Sequence, residues 1–165
     1  MDMWLRIDRG TETDARALLS ASCGATRWVA SMLARRPFGS REALLDAARD
    51  QWFALSPDDW REAFLHHPAI GDVGSLRERF PATHQLSASE QAGVAAASDD
   101  TLNRLADGNR RYRERFGYTF IVCAAGKSAG EMLRLLEARL GNDPDVEIGV
   151  AAEEQAKITA LRLTK

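Results

Sequence analysis

Apolar residues recur every three or four positions from Glu12 to Leu19 and again from Thr26 to Ala34, with Gly24 between the two runs. That period gathers the apolar side chains on one helix face, so two short helices are expected. The second should end at Arg36, because Pro37 disfavours helical geometry in the residue before it. Ser40 is a suitable N-cap for a third helix, on which Leu44, Leu45, Ala48, Trp52 and Phe53 share a face up to about Leu55. Ser56, Pro57, Asp58 and Asp59 then follow the order of N-cap, first-turn proline and acidic residues suited to the positive end of a helix dipole. A helix to His66 is predicted, and Pro68 stops it, leaving His67 where helix gives way to loop.

Residues 68–86 hold Pro68, Gly71, Gly74 and Pro81 with only a weak apolar period, the pattern of a long connecting loop. Ser87 with Glu90 three residues on has the form of a capping box and predicts a helix through Ala97. A separate helix from about Asp99 to Phe116 should carry Leu102, Leu105 and Tyr112 inward. The segment Phe116 to Cys123 has strand-like propensity. No comparable second run exists to pair with it, so a buried extended or helical stretch is expected instead. Ser128 with Glu131 repeats the capping pattern for a helix ending at Gly141 and Asn142, and a last helix should span Asp145 to Leu163. The expected fold is all-α, a single-domain helical bundle of about seven to nine helices over residues 1–165, without internal repeat or linker.

Composition narrows the function classes. With 45% hydrophobic residues, the 165-residue chain can bury a core without disulfides or metal. The 22 basic residues are balanced by 24 acidic ones, so no basic field is present to hold a nucleic acid. The N-terminal Met1, Asp2, Met3, Trp4, followed by Arg6, Asp8 and Arg9, lacks the order of a secretory signal. The longest apolar stretch, Tyr118 to Gly126, is far below the roughly 20 residues of a membrane helix. Cys23 and Cys123 form no CxxC pair, and the final Leu163, Thr164, Lys165 is no Ser-Lys-Leu address. A cytoplasmic protein with reduced thiols, bound to neither membrane nor nucleic acid, is expected.

Three histidines, His66, His67 and His84, are the candidates for proton chemistry. Adjacent helical side chains diverge by about 100°, so His66 and His67 are poorly placed to share one ion, and no metal site is expected. His67 has an ordinary account as a helix-end residue bonding free carbonyls. It also has a chemical one, since an imidazole beside a long loop titrates near neutral pH and can exchange protons. Glu90 likewise has an ordinary account, reaching back to its N-cap as third-position glutamates normally do, beside a chemical one of serving a ligand. The polar Ser87 to Gln91 turn would offer free N–H donors to an anionic or ureido group. Arg162 suits the negative end of the last helix, and its fork could instead clamp a carboxylate. Arg6, Arg35, Arg77 and Lys127 could do the same electrostatic work, and the sequence does not rank them.

Several segments taken together carry a resemblance. They are Cys23-Gly24-Ala25-Thr26-Arg27-Trp28, Arg36-Pro37-Phe38, His67-Pro68-Ala69-Ile70-Gly71 and Ser87-Ala88-Ser89-Glu90-Gln91. To these are added Arg115-Phe116-Gly117-Tyr118-Thr119-Phe120-Ile121, Arg139-Leu140-Gly141-Asn142, and the run from Glu154 and Gln155 to Leu161 and Arg162. In order and spacing, over nearly the whole chain, this resembles the 2-oxo-4-hydroxy-4-carboxy-5-ureidoimidazoline (OHCU) decarboxylase family. The resemblance implies an all-helical enzyme without metal or organic cofactor, usually a homodimer, that ends urate breakdown by making (S)-allantoin and carbon dioxide. It places the essential histidine on His67, the essential glutamate on Glu90 and a late arginine on Arg162. Contacts to the ureide substrate are expected from Pro68, from Ser87, Ala88, Ser89 and Gln91, and from backbone groups of Ile121, Val122, Cys123, Ala124 and Ala125. Many relatives have an arginine shortly after the Phe-Ile segment, where this chain has Ala124, Ala125, Gly126 and Lys127.

Two other classes compete with a cofactor-free decarboxylase. In a helical ligand-binding or interaction module, His67 and Glu90 would be caps, Trp52 or Trp60 would help form a docking face, and no ureide would be turned over. A metal-dependent hydrolase would reveal itself by bound metal in the purified protein.

Overall fold

The computed structural model describes residues 1–68 and 88–165, with the backbone alone from Ala88 to Ser98. Most of the expected loop, and the Ser87 cap, lie outside the described residues. Eight helices appear among those described: α1 Met3–Arg9, α2 Glu12–Ser22, α3 Thr26–Ala34, α4 Arg41–Phe53, α5 Pro57–Leu65, α6 Ala88–Phe116, α7 Ala129–Leu140 and α8 Pro144–Leu163. No strand occurs among them, so the class is all-α, as the periodicity predicts. The chain divides into two compact units. The first comprises Met1–His67, Ile121–Cys123 and Ile148–Lys165, and the second Pro68–Phe120 and Ala124–Glu147.

In the first unit the starts of α2, α4 and α5 are fixed by N-cap side chains that accept otherwise unpaired N–H groups. Thr11 accepts from Asp14 N and Ser40 from Ala43 N. Ser56 and Asp59 complete a reciprocal capping box behind Pro57. Ile7, Leu19, Trp28, Met32, Leu44, Trp52 and Phe64 are buried together with Ala15, Ala48 and Ala63. Each buried indole N–H finds a carbonyl, which removes the cost of burying a donor: Trp28 donates to Ala48 O at 3.0 Å and Trp52 to Ala152 O at 2.9 Å. Trp60, less deeply placed, donates to Trp52 O at 3.0 Å.

Helix α1 was not among the expected elements. It has seven residues, of which only Ile7 is buried, too few to show an apolar period. Distant contacts hold it instead. The Asp8 carboxylate accepts from Phe38 N and Gly39 N, and Arg36 donates to the carbonyls of Asp8 and Gly10.

In the second unit α6 packs on α7, and Leu102, Leu105 and Tyr112 of α6 and Met132, Leu133 and Leu136 of α7 are all buried. The expected break before Asp99 is absent, and α6 runs unbroken for 29 residues. Neither proline nor a left-handed residue interrupts it, and packed side chains outweigh the weak helix propensity of Ser98, Asp99 and Asp100. It ends at Gly117, whose φ of 85° suits a residue without Cβ and lets its N–H bond Arg113 O. The following residues are neither helix nor strand, and Tyr118, Thr119 and Phe120 are buried. Asn109, fully buried on α6, accepts from Phe120 N and holds this stretch in place. Beneath it, Arg139 and Glu147 form a buried ion pair at 2.5 Å, with the Arg139 guanidinium 4.5 Å from the centre of the Phe120 ring.

Candidate active site

His67 is positioned by the way α5 ends. The N–H groups of His66 and His67 bond back to Ala63 O and Phe64 O, the tightened turn with which a helix closes. Buried Ala63 and Phe64 anchor that turn. Helix α5 is also tied to the α2–α3 corner. The N-cap of α3 is Ala25, which has no side-chain acceptor, and Glu62 of α5 serves in its place. Glu62 accepts from Thr26 N at 2.5 Å and from the Thr26 hydroxyl at 3.2 Å. Gly24 lies in the same corner, directly against the His66 ring.

Helix α8 supplies the partners of His67. Nε2 of His67 lies 2.5 Å from Oε1 of Gln155, and Gln155 Nε2 donates to the Thr159 hydroxyl at 3.0 Å. Thr159 in turn donates to Ser22 O at 3.4 Å, and Arg162 donates to the same oxygen at 3.3 Å. Ser22 is the last residue of α2, so its carbonyl is one that the helix leaves unpaired. Gln155 and Thr159 are buried, and His67 is half-buried. Residues 155, 159 and 162 stand four and three apart, the spacing that aligns side chains on one helix face.

Burial holds the His67 imidazole below its usual pKa. Its contact with Gln155 acts in the opposite direction, while the charges of Arg162 and His66 push the same way as burial. The ring is therefore neutral at neutral pH and able to accept a proton. Cys23 is buried beside the same residues, and desolvation lifts its thiol to about 11 despite the lowering effects of the Ala25 backbone, Thr159 and Arg162. It is protonated and inert as a nucleophile at neutral pH.

Of the residues nominated from sequence, His67 and Arg162 are brought into one electrostatic neighbourhood. Ile121 and Cys123 are buried and Val122 is half-buried, in the same unit as His67. Ala124 is half-buried and Ala125 exposed, both in the second unit. Pro68 is exposed. Ala88, Ser89, Glu90 and Gln91 form the first turn of α6, of which only the backbone is described, and Ser87 lies outside the described residues. Among the described residues, no three His, Cys, Asp or Glu side chains gather as a metal ion would require. Sequence reasoning missed Gln155, Thr159 and the Ser22 carbonyl. The four-and-three spacing back from Arg162 was the available signal.

Comparison with known proteins adds to this geometry. A family model described as OHCU decarboxylase matches residues 8–164. The uric acid degradation bifunctional protein TTL of Arabidopsis thaliana is 38% identical over 144 residues, which are 87% of this chain and 44% of that protein. The chain thus spans less than half of that bifunctional relative. The 2-oxo-4-hydroxy-4-carboxy-5-ureidoimidazoline decarboxylase of Amia calva is 33% identical over 138 residues, 81% of this chain and 76% of the relative. A crystal structure of OHCU decarboxylase in the presence of (S)-allantoin superposes with a TM-score of 0.70 at 35% identity, covering 93% of this chain and 96% of the other.

Proposed function

The chain belongs to the OHCU decarboxylase family, and on that premise we propose that residues 1–165 form one domain that decarboxylates OHCU to (S)-allantoin and carbon dioxide, the last step of urate degradation. The observation that carries this reading is a neutral, half-buried His67 held by Gln155 and accompanied by the cationic Arg162. The substrate is an anion with an acidic hydroxyl, and it needs both a proton exchanger and a positive charge.

In the reaction the carbon–carbon bond to the carboxylate breaks and its electron pair passes into the C=N of the substrate ring, whose nitrogen takes up a proton. The hydroxyl then gives up its proton as the ring carbonyl forms, and a proton is added to one face of the carbon that becomes the stereocentre. His67 carries out this last exchange as general base and then general acid. Arg162 favours the anionic substrate and disfavours a doubly protonated His67. Glu90 holds the ureido group or tunes His67, and N–H groups of the Ser87 to Gln91 turn and of Ile121 to Ala125 stabilise charge on the ring oxygens. Pro68 completes the substrate contacts. This chemistry calls for neither metal nor organic cofactor.

The proposal extends to a cytoplasmic homodimer, the usual assembly of the family, tested by sedimentation of the purified protein. No helix among the described residues is long and apolar enough to cross a membrane.

The deciding experiment generates OHCU from urate with the two preceding enzymes and follows allantoin by circular dichroism. Rapid appearance of the (S) signal is expected with this protein, and a loss of roughly 10²–10⁴ in kcat with His67→Asn, the usual contribution of a positioned acid–base group. The slow racemic background alone would instead assign the chain a binding role or a different substrate.

A further inference from the structure

We propose that Gln155 is a positioning residue that fixes the tautomer of His67, so that Nε2 carries the hydrogen and Nδ1 is the nitrogen that exchanges a proton with the substrate. The exchange itself rests on the decarboxylase reading given above; the tautomer rests on geometry alone.

The hydrogen-bonded chain starts at Ser22. Its carbonyl can only accept, so in the 3.4 Å contact the Thr159 hydroxyl is the donor. The Cys23 sulfur is the other acceptor next to that hydroxyl, and donation to either one leaves the Thr159 oxygen with lone pairs for Gln155. Gln155 therefore presents its NH₂ to Thr159 at 3.0 Å and its carbonyl oxygen to His67. Reversing the amide would turn the Thr159 hydrogen away from the helix-end carbonyl and leave that carbonyl with Arg162 alone. An amide oxygen 2.5 Å from Nε2 requires a hydrogen on that nitrogen. With the ring neutral, Nδ1 then holds the lone pair.

A glutamine suits this work better than a carboxylate. It accepts one hydrogen bond and fixes the ring, yet it lacks the charge that would hold an imidazolium and slow return of the proton. The backbone carbonyl at the end of α2 is thus the origin of a three-step relay through Thr159 and Gln155 that ends in the orientation of the proton-transfer group.

The test is a two-bond proton–nitrogen correlation spectrum of the full chain labelled with ¹⁵N-histidine, without substrate at neutral pH, with His67→Asn identifying the His67 signals. We expect protonated Nε2 and unprotonated Nδ1. In Gln155→Met, which keeps the bulk and removes the acceptor, the preference should be lost and kcat should fall roughly tenfold or more while KM changes little. Gln155→Glu retains an acceptor and should retain the Nε2–H tautomer. A His67 protonated on Nδ1 in the natural protein would overturn the inference, as would a Gln155→Met protein with unaltered tautomer and kcat. The spectrum needs no substrate, so failure of the decarboxylase reading would show separately, as absent turnover.

Discussion

His67 and Gln155 meet at 2.5 Å across 88 positions of sequence. The contact joins the loose end of α5 to the buried face of α8, so the imidazole cannot turn without disturbing a hydrogen-bonded chain that ends at Ser22. Rigidity of this kind places a reactive group to within a fraction of an ångström, on which proton transfer depends.

Activity that uses neutral His67 should persist as pH falls through about 6.5, the ordinary imidazole value, and decline only below it. Arg162→Met removes a charge that disfavours protonation, so the acid limb of kcat/KM should move to higher pH. Stability follows the same sign. The unfolded chain takes up a proton on His67 at a higher pH than the folded chain, so stability is lost as pH falls from about 6.5 towards the lowered folded value. Urea titrations of the natural protein and His67→Asn on both sides of that window should show the loss only in the former.

Gly24→Ala should be poorly tolerated. A Cβ at this position would fall on the His66 ring and against its Cβ, which is not a flexible tip. We expect a cost of about 1–3 kcal/mol in urea unfolding, typical of forced overpacking. Displacement of the α5 end should also lower kcat through His67.

Cys23 should resist thiol reagents in the folded protein at neutral pH, while the unfolded chain reacts readily. Its pKa is raised to about 11 by burial. The folded state therefore keeps a proton that the unfolded state loses, and stability should fall as pH rises from about 8.5 towards the folded value. Cys23→Ala should flatten that alkaline loss, read from thermal midpoints across the range.

Arg139→Met leaves the carboxylate of Glu147, which is fully buried, without its 2.5 Å partner. A loss of roughly 3–5 kcal/mol is expected from such a broken pair. The double variant Arg139→Met, Glu147→Gln should recover part of it, and a double-mutant cycle from urea unfolding would measure how much.

Most of the fold was legible because its helices announce themselves locally. Ser40 and Ser56 cap where their sequence context predicts, and Leu44, Ala48 and Trp52 face inward at helical spacing. Helix α1 was not legible, since its support comes from Arg36, Phe38 and Gly39, about thirty residues away. The strand-like Tyr118 to Ile121 is buried but joins no sheet among the described residues, because β propensity measures fit to a pleated surface, and those residues form none. At the candidate site, His67 and Arg162 stood out by residue type. Gln155 and Thr159 did not, for an amide and a hydroxyl gain their meaning only from what they touch.

All four tryptophans, Trp4, Trp28, Trp52 and Trp60, fall in the first unit, and both tyrosines, Tyr112 and Tyr118, in the second. Intrinsic fluorescence is therefore segregated along the fold. Red-edge excitation, which selects indole, reports loss of order around the indoles of α1, α3, α4 and α5, none of which lies on α6 or α7. Second-derivative absorbance of the tyrosines, which separates their bands from those of indole, supplies the complementary signal, so a single unlabelled sample reveals whether the two units melt together or in sequence.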